Sequence, residues 1–202
     1  MEGAVTGLFH EPDDATPLAH EEREGLLQTW IAHRHELNEA EQANIVKASA
    51  WARRRRNAKA SDLLKEEFVK ALHKRMLGEV WNGAGTYRRS ERNIGIAGHR
   101  IPMDMPMMLD DVAFWIQHRT YPSDEIAVRL HHRLVAIHPF ANGNGRHARL
   151  MADLLIERLG GAAFSWGGGT LSSMSDLRAR YVTALRSADN HDIEPLLVFA
   201  RS

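Results

Sequence analysis

The chain has 202 residues, 44 % of them apolar and 26 % charged, with a formal net charge of zero and no cysteine. That length suits one domain with a proper core. The charge balance gives no overall pull toward nucleic acid or an anionic membrane, and the missing cysteines exclude disulfides, thiolate catalysis and cysteine-ligated metals. Residues 1–16 are acidic and lack the apolar stretch of a signal peptide. No apolar run approaches the ~18 residues needed to span a bilayer. The expectation is therefore a cytoplasmic protein with neither nucleic acid nor membrane as partner.

Residues 1–20, with Gly3, Gly7, Pro12, Pro17 and paired aspartates, read as an irregular arm, and residues 21–202 as a single, mainly helical domain. Asn38 is a candidate cap for a helix over 38–55, with Ala40, Ile45, Ala48 and Trp51 on its apolar side. Four arginines, Arg53 to Arg56, close it; cations there suit the negative end of the helix dipole. A nucleic-acid patch is the sharper reading of that run, and a solvated helix end the plainer one. A second helix, 61–78, would bury Leu64, Phe68, Leu72 and Met76 and stop at Gly78.

Glycines and prolines punctuate residues 82–106. Short extended pieces around 93–96 and 99–102 flank Ala97-Gly98, which reads as a small exposed β-hairpin or as a plain connecting loop. Further helices follow over 107–118, 123–137, from Gly145 to Gly160, 173–188 and 192–200. Pro122 would start one of them and Pro139 would end it; Gly167 to Gly169 makes a loop. Trp30, Trp51, Trp81, Trp115 and Trp166 are expected in or near the core. His147 is expected on the surface. His131, His132 and His138 raise a zinc reading, but their spacing does not match a helical pair followed by a third ligand.

The chemistry concentrates in the twelve residues from His138 to Arg149, His-Pro-Phe-Ala-Asn-Gly-Asn-Gly-Arg-His-Ala-Arg. A helix ends at His138, a Gly-Asn-Gly loop follows, and a new helix begins. Glycine and asparagine tolerate positive φ, so successive N–H groups can converge into a nest. The helix N-terminus adds free N–H groups and a positive dipole end. Together these make an anion site. Arg146 and Arg149 share one face of the first turns. Cations there oppose the dipole by about 0.3–1 kcal/mol each, and no acid relieves them. A multiply charged anion such as a triphosphate would supply the reason. His138, whose ordinary pKa is near ~6.5, is the natural general base beside it.

These residues resemble the Fic family motif His-x-Phe-x-(Asp/Glu)-Gly-Asn-Gly-Arg-x-x-Arg, with one departure, Asn142 for the acid. Gly85-Thr86-Tyr87-Arg88 followed by Asn93-Ile94-Gly95 is similar to the family's lead into its target-binding flap, and residues 181–199 to its closing helices. The likeness covers about 60–200. The stretch 36–44 resembles a bacterial Fic subgroup labelled mobile mystery protein B.

The resemblance implies a Fic-type helical bundle with a small β-hairpin flap at about 92–102. It implies a protein adenylyltransferase that moves AMP from ATP, with Mg²⁺, onto a Tyr, Thr or Ser hydroxyl of a target protein. His138 would be the base and Phe140 the loop's anchor. Gly143, Asn144 and Gly145 would hold the α- and β-phosphates, Arg146 the β-phosphate and Arg149 the γ-phosphate. Asn142 stands at the metal position, where asparagine offers only a neutral oxygen to a hard ion, and Tyr181 stands near the adenine pocket. Asn93, Ile94, Gly95 and Ile96 would align the target by strand addition. The alternatives are phosphoryl or other nucleotidyl transfer on the same cradle, or a non-catalytic regulator in a toxin–antitoxin-like pair.

Many Fic proteins are held off by a helix carrying Ser/Thr-x-x-x-Glu-Gly/Asn, whose glutamate pairs with the motif's second arginine. That strict pattern is absent from the sequence. Glu41 is the nearest candidate for an inhibitory glutamate, with Arg149 as its expected partner. A solvated helix glutamate is the competing reading.

Overall fold

The computed structural model describes residues 25–55, 57–168 and 174–202; the arm expected over 1–20 lies outside them. Among the described residues the regular elements are α-helices, one 3₁₀ turn and an antiparallel bridge between Leu26 and Trp81. The helices are α1 (Arg34–Arg54), α2 (Ala60–Leu63), α3 (Glu66–Leu77), α4 (Ile101–His118), α5 (Ser123–Ile137), α6 (Asn144–Arg158), α7 (Met174–Asp189) and α8 (Glu194–Arg201). α5 packs on α6, α1 on α3, α4 on α5 and α7 on α8.

α1 starts four residues before the expected cap. His33 is its N-cap, and the Glu36 carboxylate accepts hydrogen bonds from the Ala32 and His33 amides at 2.7 and 3.0 Å, closing two donors that a helix start leaves open. Its buried stripe is Leu37, Glu41, Asn44, Ile45, Ala48 and Ala52, a helical spacing rotated slightly from the expected face. The four-arginine run splits up. Arg53 pairs with Glu157 at 2.8 Å, Arg55 lies 5.5 Å over the Trp51 ring, and Arg56 lies outside the described residues.

The expected 61–78 helix is broken at Leu64-Lys65, yet Leu64, Phe68, Leu72 and Met76 are all buried. The β-hairpin does not form among the described residues. Residues 98–100 make the 3₁₀ turn, and α4 begins at Ile101 rather than at 107. Pro102 sits in the first turn, where its missing N–H costs nothing. Ile101, Met105, Met108, Leu109 and Val112 form a buried helical stripe, so packing outweighs the break suggested by Pro106. The remaining helix ends fall within about two residues of expectation.

Two side-chain placements are reversed. His147 is 1 % exposed, and Trp30 is 59 % exposed. His147 faces inward because it follows the αL cap by one turn, and its Nε2 lies 3.1 Å from the Val69 carbonyl.

Candidate active site

The site grows from the turn that joins α5 to α6. α5 ends when His138 adopts the left-handed conformation, φ 54 and ψ 60, with its amide donating to the Leu134 carbonyl at 3.0 Å. Pro139 follows and cannot continue a helix. Histidine is among the few non-glycine residues enriched in this region. The turn thereby lifts the imidazole off the helix. Its ring is half-buried, and Nδ1 is the buried nitrogen, without a hydrogen-bond partner. Nε2 is left as the nitrogen to meet a substrate. Burial first, then the Arg88 and Arg92 charges, lower the His138 pKa, against a backbone interaction with Val135 that raises it. The His138 ring is therefore held in its neutral, proton-accepting form.

Phe140 is fully buried, with its ring 3.7 Å from that of His73. The Asn144 side chain closes the loop on itself. Its Oδ1 accepts from the Phe140 amide at 2.8 Å, and its Nδ2 donates to the Phe140 carbonyl at 2.8 Å. That side chain is committed to the loop, so only the Asn144 main chain is left for a phosphate.

His73, which sequence reasoning missed, clamps the loop from α3. The Gly85 amide donates to its Nδ1 at 2.9 Å, which leaves Nε2–H to donate to the Asn142 carbonyl at 2.9 Å. Burial, the largest cause, lowers its pKa to about 4, so the clamp stays neutral.

α6 starts at Asn144 with Gly143 as N-cap, φ 70, no side-chain cap and no acid in its first turn. Its first amides point out uncapped at the positive end of the dipole, as an anion site requires. A Cβ at Gly143 would strike Leu77, whereas at Gly145 it would meet nothing within 4 Å.

Arg146 and Arg149 leave this turn toward different partners. Arg149 lies 4.8 Å over the Tyr181 ring, and its charge opposes the rise that burial imposes on the Tyr181 pKa, while its buried Nε has no partner. The Tyr181 hydroxyl also lies 3.0 Å from Nε2 of the fully buried His131. Burial above all, with the Arg149 charge, lowers the His131 pKa to about 3. Tyr181 is thus a support for Arg149.

Glu41 differs from both readings of the sequence. It is 2 % exposed, not solvated, and its partner is Arg146, not Arg149: Arg146 Nη1 donates to Oε2 at 2.5 Å. Trp81 Nε1 donates to Oε1 at 2.6 Å. The reason is register. Glu41 occupies the buried stripe of α1 four residues after Leu37 and four before Ile45, so α1 carries it onto the start of α6. The sequence held that signal in its spacing.

Residues 93–96, expected to meet a target, run as a bend beside His138. Gly95 has φ 92, and a Cβ there would lie 2.5 Å from His138 Cβ. The Ile96 amide donates to the Ile137 carbonyl at 3.3 Å, so it is already used. Ile94 is 61 % exposed.

Residues 63–156 match the Fic/DOC family. The chain contains a Fic/DOC family domain. A curated relative, protein adenylyltransferase Fic of Aedes aegypti, is 27 % identical over 143 residues, which span 69 % of this chain and 27 % of that protein. The chain thus spans about a quarter of the length of the curated relatives it matches. Among solved Fic structures, Fic-1 (residues 134–508) of C. elegans superposes with a TM-score of 0.58 and 26 % identity, covering 80 % of this chain and 48 % of that one. BepC, a VirB-translocated Bartonella effector protein with bound AMPPNP from Bartonella tribocorum, shares the fold. Its TM-score is 0.63 at 15 % identity, over 91 % of this chain and 97 % of that one. The Fic domain here holds His138, the uncapped helix end and both arginines within one continuous turn and helix.

Proposed function

We propose that this chain is a Fic-type protein adenylyltransferase, an AMPylase that moves AMP from ATP onto a Tyr, Thr or Ser hydroxyl of a target protein. One observation carries the reading: α6 begins without a cap, with Gly145 open and two arginines on its first turns, directly after a histidine held neutral. Uncapped amides and guanidinium groups bind phosphates, and a neutral imidazole accepts a proton. The relatives' name, protein adenylyltransferase Fic, and the AMPPNP bound to BepC support ATP as donor.

The triphosphate lies along the start of α6, on the main-chain amides of Gly143, Asn144 and Gly145, with Arg146 on the β-phosphate and Arg149 on the γ-phosphate. Tyr181 backs Arg149 at the edge of the nucleotide pocket. The target hydroxyl attacks the α-phosphorus and its proton passes to His138. The bond from the α-phosphorus to the bridging oxygen breaks, and pyrophosphate leaves.

Among the described residues no group of three His, Asp or Glu could hold a metal ion. Asn142 offers a single neutral side-chain oxygen, a poor match to Mg²⁺. The residues present therefore do not make a Mg²⁺ site by themselves, and no step is drawn through the ion. Mg²⁺ enters this proposal as a companion of ATP, held through the phosphates.

Residues 93–96 align the target, with Ile94 as the exposed contact. Glu41 is the inhibitory group: while its carboxylate holds Arg146, that guanidinium is withheld from phosphate, which it would bind in the same forked geometry. An antitoxin-like partner is a second route to the same restraint. Likeness to the subgroup labelled mobile mystery protein B, a single domain over 21–202 and a cytoplasmic setting belong to the proposal too. No described helix is long and apolar enough to cross a membrane.

The test is the identity of the transferred group. With host lysate, the account expects label from α-labelled ATP on a protein band. Label from γ-labelled ATP alone would mean phosphoryl transfer by a reversed nucleotide. Label from neither, in a chain freed of Glu41, would mean a non-catalytic regulator.

A further inference from the structure

Arg88 is 5 % exposed, yet its guanidinium makes no ion pair with a described carboxylate. It faces carbonyl oxygens instead. Nε donates to His138 at 2.7 Å, Nη1 to Ser90 at 2.8 Å, and Nη2 to Ile96 at 2.5 Å and more weakly to Ile137 at 3.4 Å. The Arg88 amide adds a bond to the Pro139 carbonyl at 2.9 Å. Burying a cation without a counter-ion is costly. A neutral amide side chain has too few donors to span these acceptors, whereas the guanidinium presents five in a rigid fork.

The acceptors belong to two segments that the sequence keeps about forty residues apart. Ser90 and Ile96 bracket the bend beside the site, and Ile137, His138 and Pro139 form the turn that carries the base. The His138 carbonyl belongs to a residue in the left-handed conformation, a state that persists only when its surroundings over-determine it.

We propose that Arg88 is the positioning residue of the base: one guanidinium ties the 90–96 bend to the 137–139 turn and fixes the imidazole of His138 between them. A target strand aligned on the bend is thereby placed in register with the base through a single side chain. The Arg88 charge also disfavours a proton on the ring, second only to burial, with Arg92 adding to it. This rests on the reading of His138 as base, but the geometry can be tested without transfer.

Arg88→Lys keeps the charge and loses the fork; Arg88→Met loses both. Misplacing a reacting group by about 1 Å costs on the order of 10²-fold. In both variants kcat for α-label transfer should fall about 10- to 100-fold while the Kd for ATP stays within about twofold of wild type. The acid limb of the pH profile should move upward in Arg88→Met and stay in place in Arg88→Lys, a split that a purely structural role would not produce. NMR titration of the His138 ring, run without nucleotide, should show the same upward shift in Arg88→Met. Wild-type kcat in either folded variant, or an unmoved His138 titration in Arg88→Met, would overturn the assignment. Should Arg88→Met fail to fold, unchanged kcat in Arg88→Lys overturns it alone. A wild-type chain that transfers no label, but whose His138 titration responds to Arg88→Met, would refute the transferase reading and leave the placement standing.

Discussion

A side chain at Gly143 would collide with Leu77, and φ there is 70, so the fold itself demands glycine. Gly145 has open space around it and no positive φ; there the demand must come from a ligand that approaches the main chain. Gly145→Ala should therefore leave Tm unchanged or raise it, since alanine gains up to about 1 kcal/mol over glycine in a helix. Calorimetric affinity for ATP should nevertheless fall at least about tenfold. Equal ATP affinity would show that no phosphate passes close to Gly145. Glu41→Gln keeps the volume and the acceptor for Trp81 Nε1 while removing the charge that holds Arg146. It should tighten ATP binding and raise self-modification. Unchanged self-modification would move any restraint to a separate partner chain. Asn142→Asp should strengthen Mg²⁺ dependence, and superimposable Mg²⁺ titrations would exclude Asn142 as a ligand. At this scale the sequence was legible where the candidate site is contiguous, from His138 to Arg149. It was not legible where support comes from afar. His73 reaches Asn142 across 69 positions and Arg88 reaches His138 across 50, and no local spacing marks either contact.

Most helices could be read from apolar spacing because each buries one stripe. α5, expected over 123–137, spans Ser123–Ile137, since Pro122 and Pro139 bound it chemically. α4 was harder. Pro102 and Pro106 suggested an interruption, but the stripe Ile101, Met105, Met108 and Leu109 packs as one helix. The hairpin expectation failed for a related reason. The Ile96 amide pairs with the end of α5 rather than with a second strand, and two strands alone are marginal in water. A proline at Ile96 would thus break a structural bond and say little about the target. Ile94, exposed on the bend beside His138, is the better probe. Ile94→Arg should reduce target modification without changing Kd for ATP, and equal labelling of the target would count against a docking role for the bend.

Across the whole molecule, the buried titratable groups set how stability follows pH. Burial lowers the pKa of His73 to about 4 and those of His131 and His147 to about 3. Each would take up a proton on unfolding below about pH 6.5. Burial raises Asp153 to about 6, against hydrogen bonds from Phe164 and Trp166; it holds a proton when folded and releases it on unfolding. Three uptakes less one release leave about two protons bound on unfolding near pH 5. Stability should therefore fall as pH drops from about 6.5 toward 4, by about 3 kcal/mol per unit at the steepest. A Tm that is flat between pH 7 and pH 5 would contradict this. The same burial keeps His73, the clamp on the 138–144 loop, neutral. The most direct measurement of the central claim is the rate of α-label transfer by His138→Ala beside its affinity for ATP. The account predicts at least about a 10²-fold loss of transfer with ATP binding nearly intact. Transfer at the wild-type rate by a well-folded His138→Ala chain would contradict it.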